Sequence, residues 1–255
     1  MRSRATALVL YYPLILILVA LGIIIAVIIP SYYAVIPEFI LSLIFIYTVL
    51  KLRHGLNIGY LYIAALLLII LLSFASVFII RPVKILNLAF TEFEKNIFRG
   101  FMYVVIYLFA SLLPDSVTDL VGTLPIFLLV SAIAILEFRL RYYILAGIVT
   151  GILGIGISTV ILSLIFNRIV VTYGLSAMTM GLMGSSLMAS LINTIKRRNK
   201  PMHILNFLLM MYAAYESIWL LIPIPPILII NNVGINRLGH FISFLAGAIV
   251  AIFIT

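Results

Sequence analysis

Residues 173–186 read YGLSAMTMGLMGSS, a run in which Gly174, Gly181 and Gly184 share an apolar segment with Ser176, Ser185 and Ser186. A helix that only had to contact lipid would gain nothing from glycine, which costs about 1 kcal/mol relative to alanine in a helix interior. Between helices in lipid, little hydrophobic force acts, and close approach depends on small residues that let two backbones touch. Ala177, Gly181 and Ser185 form such a ladder at four-residue spacing, which places them on one helical face. The segment is expected to be a membrane-embedded helix with a close helical partner.

The surrounding chain fits that setting. Hydrophobic residues make up 65% of the 255 and charged residues 9%, against about 25% charged in soluble domains. Apolar blocks run over 6–30, 32–50, 58–80, 97–113, 120–137, 142–166, 170–193, 202–222 and 239–255. The first block is too long for a cleaved signal and lacks its small-residue cleavage pattern. These features predict an all-α, polytopic membrane helix bundle, and no repeat points to an inverted-repeat transporter. The net charge of +9 is not read as a nucleic-acid signature, because the basic residues cluster in short loops such as MRSR, KLRH, EFRLR and KRRNK. There they orient helices by the positive-inside rule. The absence of cysteine excludes disulfides, thiolate nucleophiles and Cys metal sites; no metal or cofactor is expected.

Placing EFRLR (137–141) and KRRNK (196–200) in the cytoplasm makes the chain enter through 120–137, leave through 142–166, return through 170–193, leave through 202–222 and return through 239–255. Block 97–113 is short and is expected to lie in the membrane without crossing it. If it crossed, the N-terminus would lie outside; both arrangements put ten Lys and Arg inside and six outside, so that count does not decide. Either way the boundary at Tyr173–Ser176 and the start of NRLGHFISFLAGAIV (236–250) face outward together.

Ser176 and His240 thus enter from one side at similar depth. A serine hydroxyl hydrogen-bonded to an imidazole is the minimum arrangement for an activated nucleophile, with the imidazole moving the proton. Gly239, Ser243 and Gly247 form a second small-residue ladder, and His240 shares a face with Ser243 and Gly247. Packing the two ladders would bring Ser176 to His240. Glu216 is expected to be structural or interfacial near the outer end of its helix, and Glu38 to interact favourably with a helix N-terminus. His203 and His54 are expected at the interface, and Met178, Met180, Met183 and Met188 as packing residues. LIPIPPILIINNVGINR (221–237) reads as a proline-broken outer connection.

These residues together resemble the rhomboid family. GLSAMTMGLMGSS is similar to its Gly-x-Ser motif with glycines five and eight residues after the serine, here Gly174, Ser176, Gly181 and Gly184. GHFISFLAG is similar to its last helix, with Gly239, His240, Ser243 and Gly247, and ILEFRLR resembles the end of its second core helix, with Glu137 at the matching place. The resemblance implies a six-helix core over 58–255 behind two N-terminal spans within 1–57. It also implies intramembrane serine proteolysis of transmembrane protein substrates in the lipid bilayer of a prokaryotic cell membrane. Ser176 would be the nucleophile, His240 the base, and the backbone at Gly174 part of the oxyanion site. Gly181, Gly184, Ser243 and Gly247 would pack the helices, and the loop after the first core helix (58–80) would be 81–119.

Two departures stand out. The family's His-xxx-Asn pair falls on Val121 and Pro125, or after a two-residue shift on Asp119 and Thr123, and neither register supplies His or Asn. Met180 replaces the aromatic residue that packs on the histidine. A pseudoprotease that binds membrane helices is therefore one alternative expectation, and a transporter another.

Overall fold

A computed structural model describes residues 82–255 apart from 115–116, 139, 168–169, 171, 173, 197–199 and 231–232. The N-terminal spans expected within 1–57, the helix expected at 58–80, Glu38 and His54 lie outside the described residues.

The described chain is mostly helical. Helices α1 (Pro82–Phe93) and α2 (Ile97–Ala110) pack on each other as a hairpin. Asn96 starts α2 by accepting from the N–H groups of Phe98 at 2.9 Å and Arg99 at 3.2 Å, the usual role of an Asn N-cap. Then follow α3 (Val117–Glu137), α4 (Leu140–Phe166), α5 (Leu175–Lys196), α6 (Lys200–Glu216) and the single turn α7 (Ile218–Leu221). A short antiparallel hairpin, β1 (Ile227–Ile230) and β2 (Val233–Asn236), pairs Ile227 with Asn236 and leads into α8 (Arg237–Ile254).

Three of the described helices are long and apolar enough to cross a membrane: Tyr142–Phe166 within α4, Leu175–Lys196 and Arg237–Ile254. Burial separates their roles. The apolar stretch of α5 is 72% buried, against 33% for each of the other two, so α5 forms the centre and α4 and α8 turn apolar faces outward. The outward side chains include Val160, Leu164, Ile249 and Phe253.

The glycines explain how a central helix can be so enclosed. A Cβ on Gly247 would overlap the Gly181 carbonyl and lie 3.0 Å from the Ser185 N; one on Gly184 would overlap the Phe244 carbonyl. The backbones of α5 and α8 therefore touch, through Gly181, Ser185 and Gly247 of the expected ladders and through Gly184 beside them. Helix α4 closes on the same pair. A Cβ on Gly151 would come within 3.2 Å of the Met178 Cα, and one on Gly154 would overlap the Ser243 hydroxyl. The sequence signal for this third contact, AGIVTGILGIG (146–156), is a glycine stripe of the same kind.

The opposite end of the bundle is tied by polar groups. The buried Glu137 carboxylate accepts from Asn193 Nδ2 at 2.6 Å, Asn206 Nδ2 at 2.7 Å and His203 Nδ1 at 2.9 Å, joining α3, α5 and α6. His203 is enclosed there, only 2% exposed. Its ring is drawn inward because a buried carboxylate needs donors on its lone pairs.

Candidate functional site

At the end opposite Glu137, the turn before α5 is pinned from two sides. Tyr107 of α2 donates its O–H to the Thr172 carbonyl at 2.8 Å and accepts from the Thr172 N–H at 3.3 Å. The Thr172 hydroxyl donates to the Ile155 carbonyl of α4 at 3.2 Å and is also hydrogen-bonded to Thr159. Gly174 donates its N–H to the Ser111 carbonyl at 2.8 Å with φ at +135°, a conformation that side-chain-bearing residues avoid. A Cβ there would stand 3.0 Å from the Ser176 hydroxyl oxygen. Glycine is thus required at 174 both by backbone angle and by space.

The start of α8 is fixed by Asn236. Its Oδ1 accepts from the Gly239 N–H at 2.8 Å, capping the helix, and its Nδ2 donates to Ser158 Oγ of α4 at 2.7 Å. Arg237 donates from Nη1 to the Ile224 carbonyl at 3.1 Å, holding the outer connection over the helix start. The proline-broken connection expected at 221–237 runs from Leu221, the last residue of α7, past the exposed Ile222 and Ile224 and through the β hairpin to Arg237, the first residue of α8.

These two supports bring the sequence-derived pair together: His240 Nε2 and Ser176 Oγ are 2.8 Å apart. Ser176 is half-buried and His240 is 6% exposed. With the imidazole proton on Nδ1, Nε2 accepts the Ser176 O–H and can take its proton. Among the described residues Nδ1 has no hydrogen-bond partner, so packing rather than a third acidic residue holds the ring. Ser176 is the second residue of α5, where backbone N–H groups have no acceptor within the helix and the dipole favours negative charge.

The other expected residues fall around this pair. Gly174 adjoins the serine; Gly181, Gly184 and Gly247 make the helix contacts described above; and Ser243 is buried one turn below His240. Met180 is buried in the core, as are Met178 and Met183, whereas Met188 is half-buried. Glu216 ends α6 half-buried. Among the described residues no cluster of three or more His, Cys, Asp or Glu is arranged to hold a metal ion.

Sequence reading missed Asp119 as a site residue. Its Oδ2 lies 3.4 Å from the point that a Cβ on Gly174 would occupy, the same point that lies 3.0 Å from Ser176 Oγ. The Asp119 carboxyl group and the Ser176 hydroxyl are therefore near neighbours. Thr123, one turn on, donates its hydroxyl to Asp119 Oδ1 at 3.2 Å. Thr123 thus reaches Ser176 only through Asp119. The signal available was an acid in the first turn of an otherwise apolar helix. No family profile, curated protein or solved structure matches the chain.

Proposed function

We propose that the chain is an intramembrane serine protease of the rhomboid type, which hydrolyses peptide bonds in or beside the spanning segments of other membrane proteins. The observation that carries this reading is the 2.8 Å contact between Ser176 Oγ and His240 Nε2, in the first turn of each of two helices whose backbones touch. Ser176 Oγ attacks the scissile carbonyl carbon while its proton passes to His240 Nε2. The resulting oxyanion is stabilised by N–H groups at the N-terminus of α5, where the Ala177 N–H already donates to the Gly174 carbonyl at 3.2 Å. Collapse breaks the C–N bond, the leaving nitrogen takes the proton from His240, and water repeats the sequence on the acyl-enzyme. In this reading residues 58–255 form a six-helix core, 1–57 add two spans, and the protein sits in a prokaryotic cell membrane.

The missing oxyanion donors favour a second reading, a helix-binding pseudoprotease: neither Val121 and Pro125 nor Asp119 and Thr123 supply the histidine and asparagine that the resemblance calls for, and losing one such donor costs about 10²–10³ in rate. Reconstitution with a panel of single-span membrane proteins, followed by mass spectrometry, tests both readings. The protease reading expects discrete fragments from wild type and none from Ser176→Ala. Retained binding with no fragments from either protein identifies the pseudoprotease.

A further inference from the structure

We infer that Ser158 is a positioning residue for the serine–histidine pair, holding His240 and Ser176 in register from a third helix; this rests on the protease reading. His240 needs such a support. Its Nδ1 has no hydrogen-bond partner among the described residues, so the ring goes where the start of α8 puts it. That start is tied to α4 by one side chain. Asn236, four residues before His240, caps α8 through Oδ1 and donates from Nδ2 to Ser158 Oγ at 2.7 Å. A Cβ on Gly239 would overlap Nδ2 and stand 2.9 Å from Ser158 Oγ, so the amide fits there only because position 239 is glycine.

Ser158 is fully buried, and its hydroxyl donates to the Ile155 carbonyl at 3.1 Å, which leaves its lone pairs for Asn236. The same Ile155 carbonyl accepts from Thr172 Oγ1 at 3.2 Å. Thr172 stands four residues before Ser176, as Asn236 stands four before His240. One carbonyl of α4 thus anchors both arms of the site, one through Thr172 and the other through Ser158 and Asn236. A shift of either arm changes the Ser176–His240 distance, and misplacing a reacting group by about 1 Å can cost about a hundredfold in rate. Hydrogen bonds between helices in a membrane add little to stability. The contribution of Ser158 therefore lies in placement, and its loss is felt in reactivity more than in folding.

The test measures labelling of Ser176 by a fluorophosphonate in the full chain in liposomes, over a range of probe concentrations. Ser158→Ala is expected to lower the limiting rate at least about tenfold and to leave the half-saturating probe concentration unchanged. Ser131→Ala is the control, since Ser131 is an equally buried serine that accepts from Tyr143 at 3.1 Å; it is expected to keep the wild-type rate. Asn236→Ser retains a capping oxygen on a side chain too short to reach α4. It is expected to match Ser158→Ala, and the double variant to lose no more than either alone. Thermal unfolding verifies that each variant folds, and Asn236→Ser carries the test if Ser158→Ala does not fold. A folded Ser158→Ala or Asn236→Ser with the wild-type rate overturns the inference and leaves the protease reading standing. An equal loss in Ser131→Ala, or losses that add in the double variant, also overturn it. If wild type itself does not label, the protease reading falls first and the inference with it.

Discussion

At the scale of single residues, the site is held by positions whose chemistry admits few substitutes. Gly174→Ala would force a strained backbone costing about 1–3 kcal/mol and press a methyl against the Ser176 hydroxyl. We expect its serine reactivity to fall at least about tenfold while helix content by circular dichroism is retained; unchanged reactivity would contradict the role assigned to Gly174. Glu137 offers the complementary case far from the chemistry. Removing its carboxylate in Glu137→Ala leaves the donors of Asn193, His203 and Asn206 buried without their acceptor. Each such group costs about 1–3 kcal/mol, so thermal unfolding in detergent should show a loss larger than for His203→Ala. The histidines show how far sequence reasoning reaches at this scale. His240 was legible because its neighbours form a ladder matching that of Ser176. His203 was not, because its partner Glu137 is 66 residues away and no local pattern announces the pair.

At the scale of elements, the small-residue faces decide which helices touch. Because the Cβ position of Gly247 is filled by the Gly181 carbonyl, Gly247→Leu should separate α5 from α8 and draw His240 away from Ser176. The expected result is loss of both thermal stability and serine reactivity. Gly156→Ala is the control: its nearest contact there would be ordinary, 3.9 Å from Leu108. It should raise stability by up to about 1 kcal/mol through helix propensity and leave reactivity unchanged. The α5–α8 contact was readable from spacing alone, since four-residue periodicity specifies a face. The closure of α4 over both was carried by an equally plain glycine stripe, but in a segment with no charged residue between Arg141 and Phe166 to draw attention to it. Asp119 was hard to place for a different reason. A helix register that is off by two residues turns a side chain through more than half a turn, and the composition of the first turn of α3 does not fix the register.

At the scale of the whole molecule, the serine–histidine pair and the Glu137 cluster occupy opposite ends of the bundle. From Ser176 to Asn193, α5 rises by roughly 25 Å at 1.5 Å per residue, close to the thickness of a bilayer's hydrocarbon core. The cysteine-free chain makes this testable without background. Single cysteines at the exposed positions Ile222 and Lys196 should react with a membrane-impermeant maleimide from opposite sides of sealed vesicles. Reaction from the same side would contradict the arrangement. The membrane class was legible from composition, because a chain with 9% charged residues cannot cover a soluble surface. The paths of α2 and of the outer connection were not, because short apolar segments can cross, lie flat or cap a bundle with the same composition.

The most direct test of the central claim, a serine activated by a histidine within the membrane, is fluorophosphonate labelling of the purified full chain. The account predicts covalent labelling of wild type at Ser176, abolished in Ser176→Ala and lost in His240→Ala. A folded wild type that labels no more than Ser176→Ala would contradict it.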